Sequence, residues 1–229
     1  MSDKLCSVAI DGPAGAGKST IAKAAAARFG FIYVDTGAIY RTVGLAAQRA
    51  GIGLEDAADV EAILPGLTIR FDYGSDGTQR MFLNGEDVSK TIRLPEASMA
   101  ASDVSAVPAV RAFLFDLQKT LARENNCIMD GRDIGTVVLP EAQLKIFLTA
   151  SAEERANRRY NELIARGTPV EYEALLREIV QRDYNDSHRA IAPLKPAPDA
   201  VILDSSDMSF EEVVAEIVRL VKETVPDEA

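Results

Sequence analysis

The sequence predicts an α/β fold in which helices cover both faces of a five-stranded parallel sheet. Five short apolar runs alternate with segments of helical periodicity, which is typical of strands buried on both faces. The first run leads into a glycine-rich loop, and a helical segment follows that loop. One pair of runs that alternate apolar and polar residues breaks the pattern, and this predicts an inserted antiparallel hairpin.

Each strand of the main sheet is predicted from a short apolar run of the kind that is buried on both faces. The five runs are residues 5–11, 31–35, 127–130, 145–148 and 200–204. Helices are predicted where apolar residues recur at helical spacing, and several of these segments end at glycine or Pro-Gly. The predicted helices are residues 19–29, 39–50, 55–64, 95–124 with an interruption near Pro108, 152–166, 172–188 and 210–223.

The inserted hairpin is predicted over residues 67–73 and 78–84. Gly74-Ser75-Asp76-Gly77 would form its turn, and Asn84-Gly85 can lead into a third short strand. The hairpin, at about 66–90, lies between the second and third strands of the main sheet. The chain therefore divides into a core, residues 1–35 and 125–229, and an inserted region, residues 36–124.

Composition limits the classes of function. The chain has 229 residues and a formal net charge of −10, which argues against a general nucleic-acid or membrane-surface binder. No run of about 18 apolar residues predicts a membrane span, and the N-terminus lacks an apolar signal core. Cys6 and Cys127 lie in apolar runs, so we expect two free thiols and a cytoplasmic protein.

The glycine-rich loop, residues 12–19, carries the most specific motif in the chain. Gly12 to Ser19 reads GPAGAGKS and fits G-x-x-x-x-G-K-[ST], with a strand before it and a helix after it. Small residues leave backbone N–H groups open to phosphate oxygens, and the helix N-terminus favours an anion. Lys18 would reach the terminal phosphates, and the Ser19 hydroxyl would ligate Mg²⁺. The residues expected to hold the phosphates of ATP are Gly12, Pro13, Ala14, Gly15, Ala16, Gly17, Lys18, Ser19 and Thr20.

A phosphate-binding loop does not by itself name a reaction, because GTPases, motor ATPases and small-molecule kinases share it. The D-x-x-G and N-K-x-D patterns typical of GTPases do not occur in the chain. The third main strand ends Met129-Asp130-Gly131, whereas a motor ATPase often ends a strand in Asp-Glu. Many separated arginines instead favour a site that grips a second phosphorylated molecule.

Polar clusters follow the second and third main strands. Thr36 stands where a helix N-cap is expected, and Arg41 lies about one turn further on. Asp130, Arg132 and Asp133 follow the third strand. Because ligands of parallel α/β sheets bind beyond the carboxyl ends of strands, these side chains are expected to share one crevice with the glycine-rich loop.

Two arginine groups lie on the later helices. Arg182, Asp186 and Arg189 are spaced to share one helical face, either as ligand contacts or as an exposed, salt-bridged surface. Arg155 and Arg159, with the turn at residues 166–169, suit a locally basic lid that closes over phosphates.

These motifs, taken in order, resemble bacterial cytidylate kinase, a family of P-loop nucleoside monophosphate kinases. The matching stretches are GPAGAGKST, DTGAIYR, AASDVSAVPAVR, DGRDIGTVVLP, SAEERANRR and the spaced pattern RD…D..RA.APL, roughly from Val8 to Leu220. The resemblance implies a P-loop core, a monophosphate-binding region at 36–124 with a small antiparallel sheet, and a helical lid at about 153–170. It implies transfer of the terminal phosphate of ATP to CMP or dCMP with Mg²⁺, giving ADP and CDP or dCDP.

The resemblance also implies roles for matching positions. The residues expected to contact CMP are Thr36, Arg41, Ser102, Arg111, Arg132, Asp133, Arg182, Asp186 and Arg189. Of these, Thr36, Arg41 and Arg132 would contact the phosphate region of the acceptor. Ser102, Arg111, Asp133 and Arg189 would read the base or its surroundings, and Arg182 with Asp186 would hold the sugar. The residues expected to act in catalysis are Lys18, Arg132, Arg155 and Arg159.

Two positions depart from the family's pattern: Ala14 stands where many relatives carry serine, and Thr36 where others have serine. Asp130 and Asp133 are both candidates to orient metal-bound water. A kinase acting on another small acceptor and a nucleotide-binding regulator without turnover are the competing hypotheses. We expect a monomer.

Overall fold

The computed structural model describes residues 5–54, 56–74 and 77–224. Glu55 at the predicted start of a helix, Ser75 and Asp76 in the predicted hairpin turn, and residues 1–4 and 225–229 of the predicted core lie outside the described residues. The elements are, in chain order, β1 Ser7–Asp11, α1 Lys18–Phe29, β2 Ile32–Asp35, α2 Thr36–Arg49, α3 Ala57–Ile63, β3 Ile69–Tyr73, β4 Gln79–Leu83, β5 Glu86–Asp87, α4 Pro95–Ser105, α5 Pro108–Glu124, β6 Cys127–Gly131, β7 Leu144–Thr149, α6 Ala152–Ala165, α7 Tyr172–His188, β8 Val201–Asp204 and α8 Phe210–Thr224.

The main sheet has five parallel strands in the order β2-β6-β1-β7-β8, which confirms the predicted fold class. Side chains alternate between its faces. Val8 and Ile10 of β1 pack into a core with α1 and α8, while Ala9 faces a second core that includes Met129 and Leu121. Burial on both faces explains why β1, β6 and β7 appear in the sequence as apolar runs. The prediction of burial on both faces is wrong for β8, an end strand of the sheet, because Val201 and Ile202 are exposed.

The inserted region contains a separate three-stranded antiparallel sheet in the order β3-β4-β5, so the predicted hairpin and its third strand are confirmed. It covers the exposed edge of β2, which is an end strand of the main sheet. The Gln79 Oε1 atom accepts from the Asp35 backbone N–H at 2.8 Å, and the Tyr73 hydroxyl donates to the Tyr33 carbonyl at 3.0 Å. Side chains of the inserted sheet thus form hydrogen bonds with backbone groups of β2 that would otherwise be unpaired at the edge of the main sheet.

The start of α2 differs from the prediction. Asp35, and not Thr36, is the N-cap residue, because its carboxylate accepts the backbone N–H of Ala38 at 2.8 Å. Thr36 is the first residue of the helix, and its hydroxyl donates to the Asp130 carbonyl at 2.7 Å. The expected N-cap role of Thr36 is therefore wrong, and its hydroxyl instead links α2 to the end of β6.

Elsewhere the helices follow the sequence pattern. The interruption at Pro108 separates α4 from α5, as expected of a residue that has no N–H to continue the helix. Among the described helices, the structure contains no segment that combines the length and apolar character needed to span a membrane.

Candidate active site

The glycine-rich loop joins β1 to α1 in a conformation that only glycine adopts easily. Gly12, Gly15 and Gly17 have φ angles of 150°, 78° and 83°. The N-cap of α1 is Gly17, so no side chain covers the unpaired N–H groups of the first turn. These N–H groups and the positive end of the helix dipole form an anion site beyond the carboxyl edge of the sheet.

Gly12→Ala tests this geometry. A methyl group at position 12 would lie 1.9 Å from the Leu148 carbonyl oxygen, so the loop or β7 must move. We expect a lower melting temperature and a large loss of affinity for magnesium-ATP. Gly30→Ala is the control: its φ is 67° and no atom lies within 4 Å of the added carbon, so only backbone strain of about 1 kcal/mol is expected. Equal behaviour of the two variants in thermal unfolding and calorimetric titration would contradict the prediction.

Lys18 lies at the centre of the site. It is 6% exposed, and its Nζ donates to the Pro13 carbonyl at 2.7 Å. Burial, followed by repulsion from Arg132, lowers the pKa of Lys18 well below its usual range, although the Asp130 charge opposes this shift. Arg182 contributes further repulsion, so the ammonium faces arginines from two other elements.

Ser19 contacts the end of β6. Its hydroxyl donates to Asp130 Oδ2 at 2.9 Å, and the Tyr33 hydroxyl donates to the other carboxylate oxygen at 3.0 Å. Burial raises the pKa of Asp130 to about 6, with a further contribution from the Asp35 charge. Of the two candidate aspartates, Asp130 is thus the one that adjoins Ser19, whereas Asp133 is paired with arginines.

The Asp133 cluster consists of Arg111, Asp133 and Arg189, which come from α5, the turn after β6, and the end of α7. The Asp133 carboxylate pairs with the Arg111 guanidinium and accepts from Arg189 Nη2 at 3.4 Å. All three side chains are at most 10% exposed. The Ser105 hydroxyl accepts from Arg189 Nη1 at 3.1 Å, and this contact was not foreseen from the sequence.

Asp186 forms a second polar centre next to this cluster. Its carboxylate accepts from Arg132 Nε at 2.8 Å and from the Ser102 hydroxyl at 3.4 Å. Asp186 is 4% exposed and the Arg189 side chain 8%, so the alternative of an exposed, salt-bridged helix surface is wrong for this face of α7. Burial and attraction to arginines act in opposite directions on Asp186, and the arginines leave its pKa below the usual value.

Three arginines converge between these centres and the loop. Burial lowers the pKa of Arg182 to about 10, with repulsion from Arg132 and Arg41 among the further causes. Arg41 itself pairs with Asp35 at 2.8 Å, and Arg132 pairs with Asp186. Positive charge thus exceeds negative charge locally, which is the electrostatic signature of a site for a polyanion.

The two predicted lid arginines are placed differently. Arg155 is 4% exposed; its Nε donates to Ala150, and its Nη1 donates to the Ala14 carbonyl of the loop at 2.9 Å. Both terminal nitrogens also donate to the Asp183 carboxylate, at 3.0 and 2.5 Å, so one of the five guanidinium N–H groups remains for a phosphate. Arg159 pairs with Glu162 on the surface, and among the described contacts no hydrogen bond joins it to the loop.

The sequence patterns assigned no role to three residues that the structure places at the site: Asp183, Ser105 and Tyr33. The signal for Asp183 was its position directly after Arg182, in the stretch Arg182-Asp183. Ser105 lies in a stretch already singled out, whereas Tyr33 stands inside an apolar strand and gives no polar pattern. These residues act through partners distant in the chain, which spacing alone does not reveal.

The sheet order, the glycine-rich loop with Lys18, and the arginines facing it define a P-loop nucleotide-binding protein of the kinase class. The family model described as cytidylate kinase matches residues 8–223, and the chain belongs to this family. The resemblance noted from the motifs is therefore confirmed.

Named relatives support the same assignment. A protein named cytidylate kinase from Caldicellulosiruptor bescii is 51% identical over 225 residues, covering 98% of this chain and 99% of that protein. Another with this name, from Leuconostoc mesenteroides, is 49% identical over 218 residues, covering 95% and 97%. A crystal structure of an uncharacterized protein from Eubacterium ventriosum matches with a TM-score of 0.51 at 11% identity, covering 96% of this chain and 99% of that one, and shares the fold alone.

Proposed function

We propose that the protein transfers the terminal phosphate of ATP to CMP or dCMP, giving ADP and CDP or dCDP. One observation carries the proposal: Lys18 lies close to Arg132 and Arg182 beside the glycine-rich loop, and Arg182 in turn lies close to Arg41. In a chain of net charge −10, such a local concentration of buried and half-buried cations is stabilised when two phosphorylated ligands meet there. Family membership supports CMP as the acceptor.

The chemistry requires little beyond positioning. The attacking atom is a phosphate oxygen of the acceptor, which is already anionic, so no strong general base is needed. Thr36, Arg41 and Arg132 would fix the acceptor phosphate, and the loop N–H groups would fix the donor. Lys18 would then neutralise charge that develops on the transferred group, where a buried cation acts most strongly.

The Asp133 cluster supports selection of cytosine. Arg111 and Arg189 would donate to O2 and N3 of the base, and Asp133 would accept from the exocyclic amine. Uracil presents a donor at N3 and an acceptor in place of the amine, so its binding would leave buried polar groups unpaired. Arg182 and Asp186 would hold the sugar, with Ser102 beside them.

The donor atoms near Ser19 fit Mg²⁺. The Ser19 hydroxyl and the Asp130 carboxylate lie 2.9 Å apart and offer the oxygen ligands that this ion prefers. Within residues 5–54, 56–74 and 77–224, no cluster of three histidine, cysteine or acidic side chains forms a protein cage, so the phosphates of ATP would supply further ligands. When bound, the ion would supply positive charge that the phosphates require, and the Ser19 hydroxyl would hold it with the Asp130 carboxylate beside it.

An apolar cluster joins the two regions proposed for these roles. One sheet-facing cluster belongs to the core region, 1–35 and 125–229, and the cluster around α2 and α4 belongs to the acceptor region, 36–124. The second sheet-facing cluster includes Leu121 of the acceptor region together with strand residues of the core region. The lid, 153–170, packs on α7 through Ala156, Leu175 and Ile179. We propose that Arg155 and Arg159 reach the transferred phosphate from this lid. We also propose that the protein is a monomer and that it is located in the cytoplasm. Cys6 and Cys127 are buried and free, and burial raises the pKa values of their thiols.

A substrate panel tests the proposal. Purified protein is incubated with ATP, Mg²⁺ and each nucleoside monophosphate, and ADP release is measured. Faster release with CMP and dCMP than with UMP or AMP is expected. Turnover only with another acceptor would instead support a related P-loop kinase, and ATP binding without turnover would support a regulator.

Arg182→Met tests the proposed contact of Arg182 with the sugar of the acceptor nucleotide. The change removes one of three converging guanidinium groups, so we expect kcat/KM for CMP to fall by about 10²-fold while KM for ATP changes less. A rise in KM alone would indicate uniform binding, and a fall in kcat alone a contact made in the transition state. Arg177→Met, at an exposed position of the same helix, is the control. Unchanged parameters in Arg182→Met would exclude the contact.

A further inference from the structure

Asp11 connects the two halves of the site. It ends β1 immediately before Gly12, and it is 3% exposed. One carboxylate oxygen accepts the backbone N–H of Ile134 at 2.7 Å, and the other accepts that of Gly135 at 2.7 Å. These two N–H groups open the turn Ile134–Val138, which directly follows Arg132 and Asp133. A residue at the entrance to the glycine-rich loop therefore holds the segment that carries the acceptor-binding side chains.

The contact needs a carboxylate. Two consecutive backbone N–H groups require two acceptor oxygens, whereas an asparagine side chain would turn an NH₂ donor towards one of them. Burying this charge is costly unless hydrogen bonds compensate. Burial raises the pKa of Asp11 to about 6, while the Gly135 and Ile134 N–H groups lower it; of the nearby charged side chains, Asp133 raises it and Lys18 lowers it.

Side-chain contacts also fix the residues just before the turn Ile134–Val138. Asp133, with φ −145° and ψ 27°, lies between the end of β6 and the turn, and its side chain reaches Arg111 and Arg189. Arg132, one residue earlier, reaches Asp186. A rotation of the Ile134 peptide would displace both side chains relative to the loop that holds ATP. Displacements of about 1 Å can lower a rate by about 10²-fold.

We propose that Asp11 is a positioning residue for phosphoryl transfer: by fixing the Ile134 and Gly135 backbone, it sets the place of Arg132 and Asp133 relative to the glycine-rich loop. The inference rests on the proposed function, because it assigns these two side chains to the acceptor nucleotide. It adds a role for a residue that itself touches neither substrate.

Asp11→Asn tests the role. We expect kcat/KM for CMP to fall about 10²-fold, with KM for CMP raised and KM for ATP within about twofold of the parent value. Asp204→Asn is the matched control, because Asp204 also ends a parallel strand and also accepts a backbone N–H, that of Ser206 at 2.9 Å, but at the far edge of the sheet. Its kinetic constants should not change.

The outcomes separate this inference from the proposed function. An unmodified protein that does not phosphorylate CMP would overturn the function. An active unmodified protein, together with an Asp11→Asn variant of unchanged CMP kinetics, would overturn only the positioning role. Equal rises in KM for ATP and CMP would also overturn it, since they would place the effect in the glycine-rich loop.

A measurement on the unmodified protein covers the case in which Asp11→Asn does not fold. In NMR spectra recorded against pH, the amide resonances of Ile134 and Gly135 are expected to titrate together, with a midpoint of about 6. The Ser206 amide is the internal reference, because its partner Asp204 has a pKa below the usual value. If the Ile134 and Gly135 resonances stay fixed while Ser206 titrates, the carboxylate does not hold the turn and the proposal fails.

Discussion

Replacing Lys18 with methionine is expected to lower kcat by about 10²- to 10³-fold without lowering the melting temperature. The ammonium lies among Arg132, Arg182 and the glycine-rich loop, where transferred charge would develop. Its only described hydrogen bond, to the Pro13 carbonyl at 2.7 Å, stays within the loop. The position of the Lys18 side chain therefore favours ligand binding over a contribution to the stability of the fold.

The stability part of this prediction follows from the pKa of Lys18. A lysine whose folded-state pKa is lowered carries its charge less favourably in the folded than in the unfolded chain, so the charged form reduces stability at neutral pH. Methionine fills a similar volume without that cost. Thermal unfolding and steady-state kinetics with CMP measure the two effects separately.

Lys23→Met provides the control for Lys18→Met. Lys23 lies on the same helix, but it is exposed and donates to the Thr78 hydroxyl at 2.8 Å. We expect near-normal kcat for this variant. A Lys18→Met protein with a normal rate would exclude the proposed catalytic role, and one that is inactive because it is unfolded would contradict the stability argument.

Local sequence was sufficient for the sheet and the glycine-rich loop. Strands such as β1 and β6 are buried on both faces, so each had to be an apolar run, and the loop is a contiguous motif whose spacing reports its own geometry. The order of strands has no such local signal. It depends on which edges pair, and only the structure shows that β1 lies between β6 and β7.

The start of α2 shows how two adequate caps compete. Asp35 and Thr36 are both good N-cap residues, and the sequence pattern favoured Thr36. The structure selects Asp35 because the Thr36 hydroxyl finds a buried acceptor, the Asp130 carbonyl, in a segment far away in the chain. A tertiary partner, invisible in the local sequence, decides the boundary.

The candidate site could be outlined from the sequence only where a motif or a family pattern marked it. Arg111, Asp133 and Arg189 are far apart in the chain, and their meeting is a property of the fold. Asp183 stood inside a quoted pattern, beside Arg182, and Asp11 ended an apolar run, but neither position revealed its role, because each contacts another protein group that in turn faces the site. Helical spacing of Asp186 and Arg189 fitted both a surface and a binding face, and burial decided between them.

Asp133→Asn is expected to lower kcat/KM for CMP by about 10²-fold and to narrow the preference for CMP over UMP. The loss of charge leaves two buried guanidinium groups, Arg111 and Arg189, without their common carboxylate, and breaking such a pair typically costs about 2–5 kcal/mol. An amide can also donate a hydrogen bond, so it no longer rejects the carbonyl that uracil presents in place of the cytosine amine.

The ratio of kcat/KM values for CMP and UMP is the decisive measurement, because loss of folded protein lowers both values equally and cancels. Asp199→Asn serves as the control: it removes an ion pair with Lys145 at 2.8 Å, from an aspartate that is 65% exposed and outside the cluster. We expect its ratio to equal that of the unmodified protein. If Asp133→Asn also keeps that ratio, the base is read by groups other than this carboxylate.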